Sequence, residues 1–459
     1  EPWRHEGDTR ERLELLAQQL LEGEAPAGDW PQTRAALQQV HAVLAPALDA
    51  CGGEELRQLL RGLQGRFVPP GPSGSPSRGR PDVLPTGRNF YTLDTRAIPT
   101  QAAWELGQQA TLRLLERYLQ EHGEYPRTLG LSVWGTATMR TGGDDIAQAF
   151  ALIGVRPKWA PGSQRVVDFE VVPRVGMGRP RVDVTLRVSG LFRDLFPAQI
   201  ALLDSAIQAV AERDESDGDN PLAAAQRAGD GMLRLFSCAP GRYGSGIDGM
   251  LADADTDDAD LAAAYLEAAG FALKADGAML PAPGAFARQV ATADLLVHGA
   301  DDPHRDLLQG GADAAFIGGF ALAAPDARLV VLDTTRPDNP QPRPLGAALA
   351  RIVRGRAAHP RHVAALMRHG PRGGAEMAEA VDRLADFARA TRAVDSHLFD
   401  LLFNAYLADA DVAAFLEREN PDAGRALARR LDGLRQNGLW QCRRNDLSPL
   451  TRWLERESA

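Results

Sequence analysis

The chain has 459 residues, 44% of them hydrophobic and 24% charged, with a formal net charge of −10. This is the composition of a globular protein long enough for roughly two to four domains. The acidic balance argues against a nucleic-acid binder, whose affinity rests on neutralising phosphates, and no apolar run reaches the ~20 residues of a membrane span.

The chain begins Glu1-Pro-Trp-Arg-His-Glu6, without a Met or an apolar leader, which predicts a piece cut from a longer polypeptide. Leu13, Leu16, Leu20 and Leu21, then Leu37, Val40 and Leu44, fall at helical spacing and predict helices across 10–64. The stretch 68–81 is too rich in Pro, Gly and Ser for helix or central strand, and reads as a linker or a lid. A helix is predicted over 100–122 with Gly123 as its stop, then a buried strand over 129–134 and a Gly- and Thr-rich loop. Asp144 or Asp145 is expected to cap a helix over 146–153 that ends at Gly154. A strand follows near 166–172.

Strict alternation over 181–188 predicts a half-buried strand. Val182, Val184, Leu186 and Val188 face one way, and Arg181, Asp183, Thr185 and Arg187 the other. A helix over 198–213 and a strand over 328–332 come next, and from Leu345 onward the pattern is helical, broken at Pro360, Pro371 and Pro421. The whole reads as α/β, a mixed core with a large, mainly helical C-terminal part. The expected division is a helical segment 1–67, an α/β region 68–340 and a helical region 341–459.

Lysine occurs only at Lys158 and Lys274, after Pro157 and Leu273, so no Gly-Lys-Ser/Thr phosphate loop is present, and any ATP hydrolysis falls to another subunit. Cys51, Cys238 and Cys442 are too scattered for a zinc site or a disulfide framework, which fits a reducing cytoplasm. Histidine is the obvious metal donor. His298 and His304 share the segment Val297-His-Gly-Ala-Asp-Asp-Pro-His-Arg-Asp306, and His359, His362 and His369 cluster further on. His362 and His369 are two helical turns apart, about 10 Å, and share a face if one helix runs through both.

Several segments resemble one family. They are Leu84-Pro-Thr-Gly-Arg-Asn89, Arg140-Thr-Gly-Gly-Asp-Asp-Ile146, Gly178-Arg-Pro-Arg-Val-Asp183 through Arg193-Asp194, Asn220-Pro221, Pro240-Gly-Arg-Tyr-Gly-Ser-Gly246 and Asp333-Thr-Thr-Arg-Pro337. Together they resemble the large subunit of the ATP-dependent metal chelatases, which load a metal into a tetrapyrrole. The 140–145 stretch is most similar to the cobaltochelatase branch, and less similar to the porphyrin-binding subunit of magnesium chelatase. The likeness runs over about 68–440. It departs from the family pattern at Ala314-Ala315, where paired tyrosines are usual, and at Ala347-Ala348, where an acidic pair is usual.

The resemblance implies ATP-dependent insertion of Co²⁺, as substrate, into hydrogenobyrinic acid a,c-diamide in cobalamin biosynthesis. AAA+ ATPase and integrin-I-like partner subunits would use the ATP and Mg²⁺. A magnesium-type subunit and a non-catalytic tetrapyrrole-binding module are the alternatives. It further implies tetrapyrrole contacts at Arg88, Asn89, Thr141, Arg181, Arg187 and Arg193. His369 and Glu376, which match a family His-Gly and Glu-Met pattern, become the catalytic candidates, and His369, His298 and Asp144 the metal donors.

Overall fold

The structure, a computed structural model, describes residues 6–25, 28–76, 80–91, 94–253, 256–443 and 446–455, and divides into two compact units, Glu1–Leu93 and Asp94–Ala459. Residues 1–5 at the amino terminus, 77–79 of the proline-rich stretch and 92–93 after the Leu84–Asn89 motif lie outside the described residues.

The first unit holds three helices, α1 (Glu6–Glu22), α2 (Pro31–Gln39) and α3 (Ala45–Leu63), as the leucine spacing predicts. The 68–81 stretch is not wholly loop: β1 (Pro70–Pro72) pairs in parallel with β2 (Asn89–Tyr91). A two-stranded ribbon leaves free edges, where proline is tolerated. Arg88 and Asn89 are exposed in this unit, and the Arg88 side chain lies across Gly71, where a Cβ would collide with Arg88 Cδ.

The second unit is organised around a sheet. Its strands begin with β3 (Thr128–Val133); a separate antiparallel hairpin, β4 (Val155–Trp159) with β5 (Val166–Val171), follows. The sheet continues with β6 (Asp183–Val188), β7 (Leu235–Ser237), β8 (Phe271–Leu273), β9 (Met279–Pro281), β10 (Leu295–Ala300), β11 (Arg328–Asp333) and β12 (Gln341–Pro344). Across it the order is β12-β11-β10-β3-β6-β7-β8-β9, parallel from β11 to β7 and antiparallel at both margins. Leu129, Leu131, Val133, Leu295 and Val297 are buried, the near-continuous apolar reading of strands covered on both faces.

One face is covered by α4 (Gln101–His122) and, beyond α5 (Gly135–Thr141), by α6 (Asp144–Ile153), which lies on β3 and β6. Thr100 Oγ1 accepts the Ala103 N–H at 3.1 Å and caps α4, and Gly123 ends it at φ 77°. Gly107 lets α4 and α6 touch, since a Cβ there would sit 2.6 Å from Ala147 Cβ. The short α7 (Arg174–Met177) and α8 (Gly190–Leu195) precede α9 (Pro197–Ala211), which packs on α6 and against α10 (Pro221–Arg227).

The other face carries α11 (Asp258–Ala269), α12 (Pro283–Ala291) and α13 (Gly311–Ala323). Against these pack the C-terminal helices α14 (Leu345–Ile352), α15 (Pro360–Met367), α16 (Pro371–Thr391), α17 (His397–Phe403), α18 (Ala410–Glu419), α19 (Pro421–Gln436) and α20 (Ser448–Glu455). Phe236, Leu296 and Val331 of the sheet join Tyr265, Phe320, Leu384, Phe399 and Trp440 in this core. Among the described residues no helix is long and apolar enough to cross a membrane.

Two local expectations are corrected. The Gly- and Thr-rich loop contains α5, and the next helix starts at Asp144 rather than 146. Its first turn is held by Thr141 Oγ1, which accepts from the N–H groups of Gly143 and Asp144 at 3.1 Å each, while Asp144 and Asp145 occupy the first turn, where the helix dipole favours them. The strand read as half-buried is buried on both faces. Arg181 forks onto Glu215 at 2.6 and 2.8 Å, and Asp183 takes the Arg234 fork at 2.7 and 2.8 Å, so charges that alternate like a solvent face are neutralised inside.

Candidate functional site

From β3 the chain moves to β6 and β7 on one side, while β10 and β11 lie on the other. Loops leaving β3 and β10 therefore part in opposite directions, and a crevice opens outside their carboxyl ends.

The register sets His298, Ser132 and Arg187 side by side on β10, β3 and β6. Ser132 Oγ lies 2.8 Å from His298 Nδ1, and His298 Nε2 lies 3.8 Å from Asp313 Oδ1. The other Asp313 oxygen accepts from Arg305 at 3.0 Å. Trp134, the first residue after β3, stands edge-on to the His298 ring at 6.2 Å and packs on Phe316 at 4.7 Å. Burial lowers the His298 pKa, with Asp313 acting in the opposite sense, so the imidazole is neutral at neutral pH.

Around this network the strand ends open into three adjoining hollows. The innermost, about 20 Å³, is bounded by Thr141, Asp144, Asp145, Gln148, Asp301 and Thr334, and has room for about one water. The next, about 50 Å³, is bounded by Trp134, Arg140, His298, Asp301, Asp302 and Asp313. The outermost, about 290 Å³, runs between the ends of β10 and β11 and helix α14. Gly299 and Asp301 wall both the first and the second, and Ala300, Asp302, Arg305, Asp306 and Leu307 wall both the second and the third, so the three form one trough.

Its charge is lopsided. Asp144, Asp145, Asp301, Asp302, Asp306, Asp313 and Asp333 face Arg140, Arg305, Arg343, Arg351 and Arg356, seven carboxylates against five guanidiniums. Arg140 forks onto Asp301 at 2.6 and 2.9 Å and reaches Asp302 at 3.6 Å. Arg356 forks onto Asp306, one contact being 2.8 Å. Surplus carboxylate beside a neutral imidazole can attract a cation and accept protons.

Of the residues singled out from sequence, Thr141, Asp144 and His298 line this trough. Arg181 does not. It precedes β6, at the opposite edge of the parallel strands, is 0% exposed, and spends its guanidinium on Glu215 and the carbonyls of Ile153, Gly154 and Val172. Arg187 and Arg193 sit toward the carboxyl edge but turn inward. Arg187 donates to Val188 O at 2.6 Å and lies over the Phe316 ring at 4.5 Å. Arg193 forks onto Asp194 at 2.7 and 2.9 Å and donates to Cys238 O and Ala239 O, pinning the loop after β7.

His369 is exposed, and because α15 ends at Met367 it does not share a helical face with His362. Glu376 pairs with Arg372 at 2.8 Å. Burial lowers the pKa of His362, with the Glu376 charge acting in the opposite sense, and His362 lies 3.4 Å from Arg356 of the trough. Asp144, His298 and His369 do not converge: among the described residues no group of three or more His, Cys, Asp or Glu is spaced to hold a metal ion. Arg88 and Asn89 belong to the first unit.

Sequence reasoning did not single out Ser132, Arg140, Asp301, Asp302, Asp306 or Asp313 as site residues. The available signal was Gly-Ala-Asp-Asp directly after the apolar run of β10, since polar residues at the carboxyl end of a buried strand mark a binding edge.

The CobN/Magnesium Chelatase family model matches residues 1–447. The chain is 48% identical to the aerobic cobaltochelatase subunit CobN of Pseudomonas aeruginosa, over 96% of this chain and 37% of the relative. It is 44% identical to the same subunit of a Sinorhizobium species, over 97% of this chain and 36% of the relative. It is 32% identical to the chloroplastic magnesium-chelatase subunit ChlH of Oryza sativa, over 86% of this chain and 30% of the relative. Among solved structures, the catalytic subunit of cobaltochelatase from Mycobacterium tuberculosis superposes with a TM-score of 0.84 at 37% identity, covering 97% of this chain and 40% of that one. The chain thus spans about a third of the length of these curated relatives.

Proposed function

The chain belongs to the CobN/magnesium chelatase family, and we propose that it is the ring-metallating part of a cobaltochelatase large subunit. On this reading it binds a metal-free corrinoid, hydrogenobyrinic acid a,c-diamide, and Co²⁺ enters as substrate during cobalamin biosynthesis in the cytoplasm. The observation that carries the cobalt assignment is the identity gap, 48% and 44% to cobalt subunits against 32% to a magnesium subunit. AAA+ and integrin-I-like partners use ATP and Mg²⁺, since neither lysine here sits in a phosphate loop.

Metallation brings a divalent ion among the ring nitrogens and releases the inner N–H proton of a corrin (two from a porphyrin), so the site must offer both a path for the ion and a proton acceptor. The trough supplies both types of group. Asp301 and Asp302, oriented by Arg140, attract the ion, with Asp144 deeper in. His298, neutral at working pH, takes a proton, and Asp313 stabilises the imidazolium that forms. Thr141 holds the backbone that presents Asp144. His369 and Glu376 are assigned outer roles in proton exit.

The test is absorbance titration with the metal-free corrinoid, followed by addition of ATP, the partner ATPase subunits and either Co²⁺ or Mg²⁺. Ring binding and a cobalt-specific spectral change are expected. Equal insertion of Mg²⁺ would move the reading to the magnesium branch, and binding without insertion of either ion would make the chain a carrier.

A further inference from the structure

The outermost hollow differs from the other two in size and lining. Its lining mixes the apolar Leu307, Val331 and Ile352 with Arg305, Arg343, Arg351 and Arg356. Its carboxylates are already engaged: Asp306 by Arg356, Asp333 by the Thr335 hydroxyl at 2.6 Å, and Asp302 by the His304 N–H at 2.9 Å. Two arginines keep donor capacity. Arg351 is exposed and has no hydrogen-bond or ion-pair partner among the described residues. The Arg343 Nε is buried without a hydrogen-bond acceptor, since its nearest Asp333 oxygen is 3.6 Å away.

The surrounding chain reinforces this. Residues 339–375 contain seven arginines (343, 351, 354, 356, 361, 368 and 372), three histidines and no carboxylate, in a protein of net charge −10. In the groove itself four arginines (305, 343, 351 and 356) meet three aspartates (302, 306 and 333), the reverse of the balance in the trough as a whole, and this favours an anionic group on an otherwise apolar ligand.

We propose that this groove is a carboxylate-recognition site, in which Arg351 and the Arg343 Nε grip an acidic side chain at the edge of a flat apolar ligand. Resting on the function proposed above, the ligand is the macrocycle. Its carboxylate-bearing rim lies against α14 and directs its centre toward Asp302 and His298, because the groove and the middle hollow share Ala300, Asp302, Arg305 and Leu307.

The full chain is titrated with a metal-free porphyrin bearing two peripheral carboxylates, with its dimethyl ester, and with succinate as a free carboxylate. The diacid is expected to bind about ten-fold more tightly than the diester, the worth of one charge-assisted hydrogen bond. Arg351→Gln should abolish that preference while leaving diester affinity unchanged, and Arg343→Gln should reduce it. A diacid preference that survives in Arg351→Gln, or no preference in the wild-type chain, overturns the proposal while leaving the chelatase reading intact. If the chain takes the metal-free corrinoid but neither porphyrin, the proposal is overturned while the chelatase reading stands; if it takes none of the three macrocycles, the chelatase reading fails. Succinate binding that then depends on Arg351 would support the carboxylate site with a free acid as its source, and its absence would overturn that too.

Discussion

At the amino end of the parallel strands, Arg181 is locked to Glu215 and Asp183 to Arg234, both buried ion pairs with partners distant in sequence. At the carboxyl end, Arg140, Arg305 and Arg356 are 24–45% exposed and share a trough with seven aspartates and a neutral imidazole. The residue types are the same; what differs is the balance. Matched pairs hold the sheet together at one end, and at the other the lining carboxylates outnumber the guanidiniums, seven to five. Burial of a matched pair is compatible with a purely structural role, whereas a surplus of one sign around a hollow needs a cation or protons to balance it.

The largest expected effect separates the two ends by stability. Arg181→Ala strands Glu215 and should lower the unfolding free energy by about 3–5 kcal/mol, seen as a fall in the urea midpoint. A loss below about 1 kcal/mol would erase the distinction. Next, His298→Ala should slow cobalt insertion by the assembled chelatase about 100-fold, the value of a general base, with macrocycle affinity little changed. An unchanged rate would remove the imidazole from the chemistry. Arg140→Ala, which breaks a part-exposed pair, should cost about 1 kcal/mol or less of stability yet weaken the response to Co²⁺; a cost as large as that of Arg181→Ala would make the two ends alike.

The smallest effect is in pH. The Arg181 fork holds the Glu215 pKa below its ordinary value near 4.5. The unfolded carboxylate therefore takes up its proton first, and the stability Glu215 gives is complete above about pH 4.5 and lost as pH falls through its lower folded value. Burial holds His298 below its ordinary value near 6.5. The unfolded imidazole then protonates first, and stability is lost as pH falls below about 6.5. Glu215→Gln should flatten the acidic part of the stability profile and His298→Gln the near-neutral part. If both variants flatten the same window, the two ends are not electrostatically independent.

Much of the fold was legible because local pattern and final burial agree. Leu129 to Val133 and Leu329 to Leu332 are mainly apolar, and both became strands of the parallel part of the sheet. Thr100 and Gly123 bracket α4 as their side-chain chemistry requires. Strand β10 escaped because His298 and Gly299 interrupt an otherwise apolar run, and the interruption lines the trough. Arg181 misled because its partner is 34 residues away in sequence: alternation reports which side a residue points to, not whether a counter-charge waits there. Thr141 and Asp144 at helix ends and His298 within β10 come together at the trough from local elements, whereas Arg305 and Asp313 meet only through the packing of α13 beside β10.

The central claim is that the ring and its ion meet at the carboxyl end of the sheet. Hydrogen–deuterium exchange of the full chain, with and without metal-free corrinoid, tests it most directly. Slower exchange is predicted for 134–141, 301–309 and 333–340, with 181–183 and 213–219 unchanged. Protection confined to the amino edge, or bound corrinoid that leaves 301–309 exchanging as before, would contradict it.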